Sequence, residues 1–258
     1  WGRLGRFLNL ANPNGLPWTW LMERLAGRAQ AVTVASRFLQ QRFGGVLVPH
    51  VRDTDEWRPE RHRPEPGRAR LGVGAERVVM FLGTPRSHKG IDDLAEAMRI
   101  LARPDVVLAV VGCAPDSATG RRLAPLGRSV RLVSEIPFAD VPLYLAAADV
   151  VAAPQRIGPD TLGQVPAKIF DAMALGRPIV STRVSMIPEI LDDSGVLVEP
   201  GDPAGLARAL AWLLDHPAEA AALGRKARER CVARYSYAAA RQALLPLVQA
   251  VIDGSKHQ

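Results

Sequence analysis

RVVMFLGTPRSHKGIDDLAEAMRIL, residues 77–101, changes hydrophobic period at its centre. Arg77–Leu82 carries an unbroken apolar run that stops at Gly83, as expected of a strand buried on both faces. Residues 90–102 then set Ile91, Leu94, Ala95, Met98 and Leu101 on one helical face, with Asp92, Asp93, Glu96 and Arg99 on the other. The same alternation continues downstream. Strands are expected at Val106–Val111, Val130–Val133, 149–153, 178–181 and 195–198. Helices are expected over 117–126, 140–147, 166–175 and 203–214. Buried strands alternating with amphipathic helices predict an α/β fold: a parallel sheet with crossover helices on both faces.

Outside this middle the pattern thins. Residues 20–27 and a segment begun at Ser36 read as helices, and 31–35 and 46–49 as strands, which is too little for a closed domain. Residues 53–74, charged and interrupted by Pro and Gly, read as an irregular connection. Residues 217–234 and 237–252 read as two helices, with Ser236 as N-cap and Pro246 as a kink.

Composition narrows the class. The 258 residues are 48% hydrophobic and 23% charged, an ordinary globular balance. The longest apolar stretches fall well short of the ~18 residues of a membrane span. The opening Trp1-Gly2-Arg3 has neither an initiator Met nor the apolar core of a signal peptide, so a fragment or a trimmed chain is expected. Cys113 and Cys231 are too few and too far apart for a disulfide framework and are expected to pack as small apolar groups. The net charge of +7 is concentrated: residues 1–70 hold 12 arginines against 6 acidic residues, the rest 21 basic against 20. That cluster suits a solvated surface, an anionic lipid face or an anionic substrate. Nucleic acid is not expected, because no aromatic interleaving or zinc spacing accompanies the charge.

Two strand-to-helix turns could carry chemistry. The first, residues 83–90 (GTPRSHKG), joins a buried strand to a helix whose first amides are unsatisfied, with Arg86 and Lys89 nearby; this suits a phosphate-bearing ligand. His88 reads as a solvated loop residue. The second, residues 163–178, brings Lys168 and Asp171 onto one helical face. They could serve a phosphate and a ribose, or simply form an exposed ion pair; Ile169, Phe170 and Met173 read as core. Walker A and GxSxG sequences are absent, and the only GxG, at Gly72 and Gly74, precedes its strand. His50, His62, His88, His216 and His257 have no neighbouring second ligand, so no metal is expected.

Taken together, these turns and their spacing resemble the C-terminal domain of a GT-B glycosyltransferase of family 4. Residues 48–55 (VPHVRDTD) are similar to that family's interdomain "IPNGVDT", and 146–150 (AAADV) to its "ADV". Residues 187–202 resemble "IPEIV…GLLVPPGD", and 234–237 (RYSY) the "YSW" entry to its last helix. The resemblance implies a Rossmann-like, GT-B type fold with an incomplete N-terminal domain. It divides the chain into 1–50, the end of the acceptor domain; 51–76, a linker; 77–235, the nucleotide-sugar domain; and 236–258, a returning helix.

It also implies a retaining, metal-independent transfer of a hexose from a UDP- or GDP-sugar to a glycan, lipid or small-molecule acceptor, without cofactor. Transfer is expected to be weak or absent if this chain is the whole polypeptide. By the same likeness Arg86 and Lys89 neutralise the donor diphosphate, and Gly83, Thr84, Gly163, Gln164, Val165 and Lys168 line its path. Asp171 would take the ribose, and Glu135 and Ile136 the base. Gly163 stands where the family has an acid, with Asp160 the nearest; Asp171 replaces a Glu, and Thr84 stands where many relatives have Arg. These departures bear on donor identity. A cytoplasmic location follows, with peripheral contact on the inner membrane face left open. The other readings are a nucleotide-sugar epimerase of the same architecture and a non-enzymatic basic anion-binding module.

Overall fold

The computed structural model describes residues 15–255. Residues 1–14 of the segment 1–50 and 256–258 of the segment 236–258, including Arg3, Arg6 and Lys256, lie outside the described residues. Among the described residues, 50–240 cluster as one compact unit and 15–49 with 241–255 as another.

The larger unit is built on six strands: β3 (Arg77–Leu82), β4 (Val106–Val111), β5 (Val130–Val133), β6 (Val150–Ala153), β7 (Ile179–Thr182) and β8 (Val196–Val198). Their order is β5-β4-β3-β6-β7-β8, and every neighbouring pair is parallel. The chain therefore winds outward from β3 in one direction, then returns and winds the other way from β6. That reversal leaves a crevice at the carboxyl ends of β3 and β6.

Burial follows the apolar runs. β4 is buried at all six positions and β3 at all but the first. Val79 and Phe81 of β3, Leu108 and Val110 of β4 and Val180 of β7 share a core with the helices Ile91–Leu101 and Pro203–Asp215. The helix Ala167–Ala174 buries Ile169, Phe170 and Met173 completely, as their spacing predicts, and packs against Pro217–Arg234. Pro203–Asp215 is opened by Asp202, whose carboxylate accepts the Gly205 amide at 2.8 Å. We expect Asp202→Ala to cost about 1 kcal/mol of stability, read from the urea midpoint at unchanged slope.

Residues 53–74 depart from the irregular connection expected. They contain a 3-10 turn, Pro59–Arg61, and a helix, Pro64–Leu71, and bury Trp57 to 3% exposure. The helix is polar along most of its length (PEPGRARL), so hydrophobic periodicity gave no signal; Pro64 at its start and Gly72 at its end are the marks that remain. Arg228 straps this segment down by donating to the carbonyls of Thr54, Trp57 and Ala174.

In the smaller unit two short strands, β1 (Thr33–Val34) and β2 (Val46–Leu47), pair in parallel. The helix Arg37–Phe43 between them is capped by Ser36, whose hydroxyl accepts the Leu39 amide at 3.3 Å. Leu16–Ala26 is helical, and Tyr237–Ser255, with Pro246 inside it, belongs here from residue 241 onward. Both cysteines are buried and free, and burial pushes the Cys231 thiol up to about 12. Among the described residues no helix is long and apolar enough to cross a membrane.

Candidate functional site

Two loops meet at the crevice. β3 ends at Leu82, and the loop that begins at Gly83 closes in the single 3-10 turn Ser87–Lys89 before Gly90 caps the helix Ile91–Leu101. β6 ends at Ala153 and leads through Pro154–Gly158 positions to the short helix Pro159–Leu162 and then to Ala167–Ala174. An ion pair ties the loops together: Arg156 Nε donates to Asp93 Oδ2 at 2.7 Å, and the Arg156 amide donates to the His88 carbonyl at 2.9 Å. Asp93 lies in the first turn of the helix after Gly90, so both loops are fixed on one rim.

A glycine follows each of the neighbouring strands β3 and β4 at the crevice. Gly112 follows β4 with a φ of +102°, and a Cβ there would lie 2.8 Å from the carbonyl carbon of Gly83. No side chain fits between these two strand ends.

Two adjoining recesses lie at this crevice. The larger, about 280 Å³, is walled by Gly83, Thr84 and Lys89, by Glu135, Ile136 and Phe138 after β5, and by Lys168 and Asp171. The smaller, about 100 Å³, is lined by Lys89, Gln155, Gln164, Pro166 and Lys168. Lys89 and Lys168 belong to both.

Their surroundings differ. Lys89 Nζ donates to the Thr84 carbonyl at 2.8 Å, and burial, then the nearby Arg86 charge, lowers its pKa. Lys168 is 8% exposed, and its Nζ is buried with no hydrogen-bond partner among the described residues, 3.5 Å from the centroid of the Phe81 ring. Burial, and next the Lys89 charge, pushes its ammonium well below the ordinary lysine value. An amine held this way costs stability until an anion reaches it.

The exposed ion pair considered for Lys168 and Asp171 is not formed. Their helix is buried along nearly its whole length, and Asp171 pairs instead with Arg52, Nε to Oδ1. Burial raises the Asp171 pKa, opposed chiefly by the Arg52 charge and hydrogen bond. His50 packs edge-on to Phe170, with ring centroids 5.8 Å apart, and its pKa is lowered by burial and by Arg52. His88 is not the solvated residue expected either: its side chain is 15% exposed, and Nε2 is buried with no hydrogen-bond partner among the described residues.

Of the residues singled out in the sequence, Gly83, Thr84, Lys89, Glu135, Ile136, Gln164, Lys168 and Asp171 are brought to these recesses. Arg86 is exposed and outside the walls. The Asp160 side chain is 80% exposed, 3.9 Å from His88. The amides of Gly163 and Gln164 are both taken by the Thr161 carbonyl, and the Val165 side chain is buried in the core. Sequence reasoning missed Arg52, Phe138, Gly112 and Gln155. Gln155 lies two residues past the carboxyl end of β6 and could have been found by that rule; Arg52 lies 119 positions from its partner, with no local signal.

The arrangement suits a ligand with two adjacent negative centres beside the lysines and hydroxyl donors near Asp171. Among the described residues no group of three His, Cys, Asp or Glu could hold a metal ion. A recess of about 460 Å³ at the opposite, amino ends of the strands mixes Arg77, Arg177 and Arg225 with Glu60, Asp149 and Glu229, and has no such single-signed focus.

Comparison with known proteins identifies the family and the fold. The family model described as "Glycosyl transferases group 1" matches residues 76–216. A GDP-mannose-dependent alpha-(1-6)-phosphatidylinositol monomannoside mannosyltransferase of Mycolicibacterium smegmatis is 32% identical over 223 residues, 79% of this chain and 58% of the relative. A D-inositol 3-phosphate glycosyltransferase of Segniliparus rotundus is 34% identical over 261 residues, 90% of this chain and 56% of the relative. The chain thus spans little more than half the length of these relatives. Among solved structures, sucrose-phosphate synthase from Thermosynechococcus elongatus superposes with a TM-score of 0.76 at 25% identity, over 97% of this chain and 65% of that one. Anabaena Alr3699/HepE, solved with UDP and glucose, gives 0.77 at 22% identity, over 93% and 69%. The architecture is GT-B type, with a Rossmann-like parallel sheet. With the match covering more than half of its length, the chain belongs to the group 1 glycosyltransferase family.

Proposed function

We propose that this chain holds a nucleoside-diphosphate sugar, UDP- or GDP-linked, in the recess shared by Lys89 and Lys168. As part of a retaining, metal-independent glycosyltransferase it supports transfer of the hexose to a glycan, lipid or small-molecule acceptor. The observation that carries this reading is the buried, unpartnered Lys168 amine beside Lys89 at the sheet's switch point. Two ammonium groups at one place neutralise a diphosphate and stabilise it as a leaving group when the glycosidic bond breaks. Asp171 accepts from the ribose, Glu135 and Ile136 flank the base, and Gln164 reaches the sugar side through its side-chain amide. Arg86 acts from outside, attracting the anion. The M. smegmatis relative is named for GDP-mannose and the Anabaena protein was solved with UDP, and both fit such a site. The reading sets the reaction in the cytoplasm, with peripheral contact at the inner membrane face where the acceptor is a lipid.

Isothermal titration with UDP, GDP and their sugars tests it directly. Binding of one of them is expected, and a folded sample indifferent to all four classes of ligand overturns the reading. Lys89→Ala should weaken diphosphate binding more than ten-fold while leaving the melting temperature within about 1–2 °C. Unchanged affinity would remove Lys89 from the site.

A further inference from the structure

Asp171 is held from outside its own helix. Arg52 donates through Nε to Oδ1, through Nη1 to the Val51 carbonyl at 2.7 Å, and through Nη2 to the Ala167 carbonyl at 3.5 Å. The guanidinium carbon lies 5.8 Å from the ring centroids of both Trp57 and Phe138. The Arg52 backbone is anchored too, its amide donating to the Tyr235 carbonyl at 2.9 Å beside a parallel bridge to Ser236. Arg52 is thus fixed at both ends before it meets the carboxylate. Oδ2 of Asp171 makes no hydrogen bond within the described residues, on a side chain that lines the larger recess.

We propose that Arg52 is a positioning residue for the nucleoside: it grips one oxygen of Asp171 and leaves the other oxygen to accept from the ribose hydroxyls. This rests on the nucleoside-diphosphate reading of the recess. A carboxyl this buried would otherwise favour its neutral form, and a neutral carboxyl is a poorer acceptor for a diol. The charged and titratable groups facing Asp171 are Arg52 and His50 from the chain before Trp57, Lys168 from its own helix, and Cys231 from Pro217–Arg234. His50 and Lys168 are both shifted by burial toward their uncharged forms, and the Cys231 thiol is held protonated at neutral pH. The fixed charge falls to Arg52.

The test compares UDP and GDP with their 2′-deoxy and 3′-deoxy forms, in wild type, R52M and R52K, from pH 5.5 to 8. Taking the ratio cancels any effect of pH on the diphosphate itself. Wild type and R52K should discriminate against a missing hydroxyl about ten-fold at every pH. R52M should lose that discrimination at pH 5.5 and recover it as pH rises, because its Asp171 protonates at higher pH than the wild-type group. Equal discrimination by wild type and R52M across the range overturns the proposal. Should R52M not fold, R52Q makes the same comparison, since it keeps a donor and removes the charge. If the wild type binds neither UDP nor GDP, it is the nucleotide reading that fails, and the deoxy comparison is never reached.

Discussion

Lys168→Met should lower nucleoside-diphosphate affinity on the order of 100-fold, the loss expected when one partner of a desolvated charge pair is removed, and should at the same time raise the melting temperature of the unliganded protein. The two effects have opposite signs because Lys168 has opposite energetics in the two states. Without ligand its Nζ is buried with no partner, over an aromatic face and next to a second lysine. A methionine of similar length fills the same space without desolvating a polar group, a gain of about 1 kcal/mol and so of about 2–4 °C. A cation held by neighbouring carboxylates would behave the other way, losing stability on replacement. Scanning calorimetry of both proteins, with and without UDP or GDP, reads both arms. A lowered melting temperature with unchanged affinity would make Lys168 a structural residue.

The same residue gives a pH dependence. Its pKa is depressed in the free protein and rises when a diphosphate sits beside it. The bound state then holds more protons than the free state between those two values, so binding takes up protons and affinity falls as pH rises through that window. Calorimetric titration in two buffers of different ionisation enthalpy measures the uptake, which should be largely lost in Lys168→Met.

Gly90→Ala is expected to break the rim itself. Gly90 has a φ of +66°, where a side chain is strained, and its missing Cβ would overlap the carbonyl oxygen of Pro154. Pro154 directly follows β6, so relief requires moving either the 83–90 loop or the chain that leads to Lys168. Strain and backbone overlap together should cost at least about 3 kcal/mol, or some 6–12 °C in melting temperature. Nucleotide binding should fall with it even where the variant remains folded, because both lysines depend on that junction. Near-wild-type melting and binding would show that the loops adjust independently.

The sheet was legible because its strands are buried on both faces. Arg77–Leu82 and Val106–Val111 form at the bounds their apolar runs suggest, and Ile91–Leu101 lies within one residue of its expected limits. Pro64–Leu71 was not legible, because a polar helix leaning on its neighbours through Gly67 and Leu71 has no apolar stripe. At the site, Lys89 and Lys168 could be named from the turns that carry them. What each does could not: spacing alone allowed Lys168 and Asp171 to form a surface pair, and only the burial of their helix separates them. Arg52 had no local signature at all, since its role depends on a contact across more than a hundred residues.

The glycine pair at the ends of β3 and β4 has an evolutionary consequence. A side chain at Gly112 can only push the ends of β3 and β4 apart, so that joint cannot be retuned by substitution. If the recess takes a nucleotide-sugar, as proposed, adaptation to a different donor would have to work through its side chains, such as Glu135, Ile136 and Phe138.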